Sequence, residues 1–92
     1  MKALGMIETQ GHVGAVQAVD TMVKSADIEV LGMKEIGAGF VSVYVEGDIG
    51  AVKAATDTAA SEVKKIGSLV AVHVIARPSP ETLSMIPKNG GK

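Results

Sequence analysis

Cysteine and tryptophan are absent, and 92 residues contain one tyrosine and one phenylalanine. Without cysteine there are no disulfides, thiolate nucleophiles or thiolate metal sites, a usage that fits a reducing cytoplasm. A chain of this length makes one small domain, which buries only about 60–65% of the surface its unfolded form exposes. Charge of one sign is missing too. The formal net charge is −1 with no block of like charge, which argues against a nucleic-acid or anionic-membrane surface. No apolar run approaches the roughly 20 residues of a membrane span. The start, Met1-Lys2-Ala3-Leu4-Gly5, turns acidic at Glu8 instead of continuing as a signal-peptide core. A soluble cytoplasmic protein is expected.

Catalytic constellations are also missing: no nucleophile sits with a base, and no carboxylate pair or metal-ligand spacing occurs. His12 and His73 lie far apart in sequence and read as structural or solvated residues. Met1, Met6, Met22, Met33 and Met85 are scattered, which suits core and interface filling better than a soft-metal site. Neither a cofactor nor a metal is expected.

What is present is aliphatic. Apolar residues make up 47% of the chain, mostly Ala, Val, Ile, Leu and Met, more than one small core needs, so oligomerisation is expected. A short strand spans about residues 3–9, with Thr9 a candidate cap for a helix over about 11–25. In that helix Val13, Val16, Val19, Met22 and Val23 form the apparent apolar stripe, and Asp20 and Lys24 lie one turn apart. Strands at about 28–36 and 40–46 are separated only by Gly37-Ala38-Gly39, which forces an antiparallel hairpin. Val41, Val43 and Val45 share one face of the second strand.

Asp48 is placed to cap a second helix to about residue 66, with Ile49, Val52, Thr56, Ala59, Val63 and Ile66 inward. A fourth strand over 69–76 stops at Arg77-Pro78-Ser79-Pro80, and a capped helical turn follows before a Gly-rich end expected to be disordered. The order β-α-β-β-α-β predicts a ferredoxin-like α/β sandwich, with both helices on one face of a four-stranded antiparallel sheet. The other face would expose Phe40, Tyr44, Leu69, Ala71 and Ile75, a surface suited to other subunits or the C-terminal tail. The glycine loop lacks the following helix that a dinucleotide or P-loop site requires. With almost no side chain, it offers its backbone amides and carbonyls.

Met-Ile-Glu-Thr at 6–9, Ala-Val-Asp-Thr-Met-Val-Lys-Ser-Ala at 18–26, Ile-Gly-Ala-Gly at 36–39, Gly-Asp-Ile-Gly-Ala-Val-Lys-Ala-Ala-Thr-Asp at 47–57 and Val-His-Val-Ile-Ala-Arg-Pro at 72–78 occur in order. Together they closely resemble the hexameric shell proteins of bacterial microcompartments. The resemblance implies a non-enzymatic subunit that forms a flat homohexamer and tiles with neighbouring hexamers and other shell proteins into facets enclosing enzymes. It implies a central pore for small metabolites lined by Gly37, Ala38 and Gly39, whose amides would favour polar or anionic solutes. Many members carry Ser where this chain has Ala38, so a wider and less polar constriction is expected here. It further implies a hexamer edge carried by Lys24, with Asp20 and Arg77 in support, and contact with targeting tails of enclosed enzymes. Three departures stand out: Glu46 where Arg is frequent, Ala76 where Pro is common, and Ser79 where His is common. The competing reading is a ferredoxin-like regulatory module whose glycine loop touches a small effector.

Overall fold

The computed structural model describes residues 2–86. The expected Gly-rich end lies outside the described residues. The elements are β1 (Ala3–Gln10), α1 (His12–Ser25), β2 (Glu29–Gly37), β3 (Phe40–Gly47), α2 (Ile49–Lys65), β4 (Leu69–Ile75) and α3 (Pro80–Ser84). They follow the expected order to within two residues at each boundary. The strands form one sheet in the order β2-β3-β1-β4, with every neighbouring pair antiparallel. This is the predicted ferredoxin-like arrangement, in which α1 and α2 pack against each other and both lie on β1.

Strand alternation selects the core face. Met33, Val43, Ile7 and Val72 stand in one cross-strand row, and Val30, Val45, Gly5 and Val74 in the next. Val41, Val43, Val45 and Ile7 are buried, as their shared parity requires. Three register shifts, one in β4 and two in β2, change that parity in the edge strands. The extra residue Val70 is 45% exposed, and Leu69 turns toward the core instead of the uncovered face expected for it. In β2 the shift between Val30 and Gly32 brings Met33 onto the same side as Val30.

The helices correct the expected stripes more strongly. In α1 the buried residues are Gly14, Ala15, Ala18 and Met22. Val13, Val16 and Val23 face outward, with Val13 78% exposed. The cause is closeness in the first half of the helix: a β-carbon on Gly14 would lie 2.7 Å from the Ser68 Cβ, and only small residues stand at the buried positions before Met22. Ala15 and Ala18 join Ala55 and Ala59 of α2 in the same core cluster. In α2, Val52, Thr56, Ala59 and Val63 are buried as expected, whereas Ile49 and Ile66 are exposed.

Cap expectations divide likewise. Asp48 occupies the N-cap position of α2 without a side-chain bond, and Thr9 does not cap α1 but donates its hydroxyl hydrogen to the Gly11 carbonyl at 3.0 Å. Ser79 accepts from the Thr82 N–H, with Pro80 beginning α3. Thr82 and Met85 of this C-terminal turn share an apolar cavity of about 340 Å³ with Leu4, Met6, Tyr44 and Ile75 on the sheet face away from α1 and α2.

Candidate functional site

Gly37 of β2 pairs with Phe40 of β3, leaving Ala38 and Gly39 as a two-residue turn. Its backbone is left-handed throughout: φ is 97° at Gly37, 54° at Ala38 and 81° at Gly39. Positive φ at both central residues is the pattern of a type I′ hairpin turn, whose twist matches the flanking strands. Glycine adopts it freely, whereas Ala38 bears a steric cost of about 1 kcal/mol for its Cβ. A β-carbon at Gly37 would meet nothing within 4 Å, because the loop points into open space.

Two bonds fasten the loop to the β1–α1 junction. The Gly11 N–H donates to the Gly39 carbonyl at 2.7 Å, and Gln10 Nε2 donates to the Ala38 carbonyl at 3.4 Å. Among the described residues, the Ala38 and Gly39 N–H groups donate to no carbonyl. The loop therefore offers donors to its surroundings while its acceptors are already engaged.

Beside it, His12 Nε2 and a Glu35 carboxylate oxygen lie within close hydrogen-bonding contact. Both side chains are exposed, and with Gly37, Ala38 and Gly39 they line a cavity of about 230 Å³. Sequence reasoning missed this pair because the partners are 23 residues apart. The available signal is register: Val41 pairs with Thr9 on one side and Glu35 on the other, so the residues just after Thr9 turn above Glu35.

Of the three expected edge residues, two are joined by an ion pair among the described residues. Lys24 Nζ donates to Asp20 Oδ2 at 3.1 Å along the exposed side of α1. Arg77 borders an open surface with Asp48, Ile49 and Ala76. Glu46 pairs with Lys2 at 3.5 Å and stands six residues along β3 from Phe40, about 20 Å from the loop end. Its charge departure is therefore remote from Gly37–Gly39. His73 borders the apolar cavity on the opposite sheet face, far from His12 in the fold as in sequence.

Residues 3–78 match the family model described as BMC domain. The chain is similar to the bacterial microcompartment shell protein PduA of Salmonella typhimurium, at 49% identity over 95% of this chain and 93% of the relative. It is 48% identical to the bacterial microcompartment shell protein EutM of Escherichia coli, over 95% of this chain and 90% of that one. The major carboxysome shell protein CsoS1A of Halothiobacillus neapolitanus is 45% identical, over 94% of this chain and 89% of the relative. Among solved structures, a microcompartments protein from Desulfitobacterium hafniense DCB superposes with a TM-score of 0.83 at 28% identity. That match covers 91% of this chain and 48% of the solved one, so this chain spans about half its length.

Proposed function

Because this chain belongs to the BMC domain family, we propose that it forms a cyclic hexamer whose six Gly37-Ala38-Gly39 loops ring a central pore for small polar metabolites. The chain is a structural subunit of a bacterial microcompartment shell, not an enzyme, and it works in the cytoplasm in assembly with other shell components. The regulatory-module alternative is not favoured, since shell proteins match it over nearly their whole length.

The observation that carries the pore reading is the loop itself. It is exposed, almost free of side chains, and fastened through its carbonyls so that unengaged N–H donors are presented outward. Six such loops can approach a common axis closely because only the Ala38 methyl stands between backbones. Donor groups that hold a passing solute weakly at several points satisfy the general condition for conduction. Exposed Val13, Val16, Val23, Ile49 and Ile66 supply the apolar surface that subunit contacts require.

Tiling is proposed to run through Lys24, oriented by Asp20, with Arg77 acting at a separate point along the same edge. The lysine methylenes can pack against a neighbouring subunit while its ammonium group donates to carbonyls. Light scattering on the purified chain, followed by electron microscopy of its assemblies, tests the reading. Six protomers with residues 37–39 at the axis are expected. A different stoichiometry, or a loop remote from the axis, would overturn it.

A further inference from the structure

The unengaged amides at Ala38 and Gly39, taken alone, would make the constriction attractive to anions. They are not the only charge-bearing feature there. Glu35 belongs to the same side of the sheet as Val41 and Thr9, and it shares a cavity with all three loop residues. Its side chain is 69% exposed, and its one side-chain hydrogen-bond partner among the described residues is His12, itself 63% exposed. Adjacent Lys34 does not compensate it, because that side chain borders the cavity on the opposite sheet face with Met6 and Tyr44.

We infer that Glu35, oriented by His12, is the charge-selecting group at the pore mouth, admitting uncharged polar and cationic solutes and turning back anions. This rests on the pore reading above and narrows its substrate class. Sixfold symmetry would set six carboxylates around one opening, close to the constriction. A formal charge on each protomer outweighs the partial charge of an amide hydrogen, and a ring of carboxylates is a cation-favouring, anion-excluding arrangement. The His12 ring, hydrogen-bonded to the carboxylate, holds it in place. His12 is thus a positioning residue, and Glu35 the group that a solute's charge encounters.

The test is ion selectivity of assembled full-length protein reconstituted in a planar lipid bilayer, read as the reversal potential under a potassium chloride gradient. Wild type should prefer potassium over chloride. E35Q should reduce that permeability ratio by about threefold or more, as expected for loss of a carboxylate ring. Glu35→Asp should retain most of the preference, and H12R, which places a permanent cation beside the carboxylate, should reduce it as E35Q does. Ala38→Phe reports separately on the constriction and should lower conductance. If Ala38→Phe lowers conductance while E35Q leaves the permeability ratio unchanged, the charge assignment is overturned and the pore stands. If Ala38→Phe conducts like wild type, the pore reading fails and takes this inference with it.

Discussion

Gly5 of β1 lies so close to Val52 of α2 that a β-carbon on the glycine would stand 2.7 Å from the valine Cγ1. Thr56 and Val45 would each have a methyl carbon 3.0 Å away. G5A should therefore overpack the sheet–helix contact and destabilise the protein by about 1–3 kcal/mol. Gly50, in the first turn of α2, meets nothing within 4 Å. G50A should instead be neutral or stabilising by about 0.5–1 kcal/mol, since alanine is the better helix former. Urea midpoints at one fixed protomer concentration check both.

The expected stripe of α1, partly buried and partly exposed, yields a second contrast. Met22 is fully buried, so M22A should cost about 2–5 kcal/mol through lost burial and a residual cavity. Val13 is 78% exposed, and V13S should change the intrinsic stability of the fold by less than about 0.5 kcal/mol. Circular dichroism should remain that of the wild type for V13S even where its assembly weakens. A valine stripe facing the core would produce a comparable loss at Val13.

Ala38 holds φ at 54°, which asparagine tolerates better than alanine and which a β-branched residue resists. A38N should raise stability by about 0.5 kcal/mol, and A38V should lower it by about 1 kcal/mol or more. Thermal unfolding reads the difference. Ala38→Ser should leave the fold unchanged while narrowing the ring and adding a hydroxyl to it. The observable is slower passage of a bulky neutral solute, with unchanged sheet formation.

Lys24 and Asp20 form an exposed pair one helical turn apart, worth about 0.3–0.5 kcal/mol to α1. K24A should consequently leave the proposed hexamer intact and scarcely alter unfolding. Its expected effect lies in tiling: extended sheets should be lost under conditions where the wild type forms them. Normal sheets by electron microscopy would remove Lys24 from the edge contact.

Strong local signals carried the fold. Three small residues between two β-forming runs permit only a hairpin, and Ser79-Pro80 forms the cap its chemistry predicts. The faces of the elements were harder to read. Valines at helical spacing look like a core stripe, yet ahead of Met22 the buried positions of α1 are Gly14, Ala15 and Ala18, whose weak hydrophobicity hides them. The inserted Val70 reverses parity within β4, and no local propensity marks that insertion. His12 and Glu35 meet because β3 lies between β2, which carries Glu35, and β1, which leads into His12, a relation set by sheet order.

The bonds from Gly11 to the Gly39 carbonyl and from Gln10 to the Ala38 carbonyl leave the hairpin tip little room to swing. In the proposed hexamer, six tips fastened in this way would make an orifice rather than a valve. Flux through it should rise in proportion to the concentration difference, without saturation and without a lag on first exposure to solute. Control of traffic would then reside in the enclosed reactions, whose consumption of a metabolite maintains its inward gradient, and the wall would act as a constant resistance.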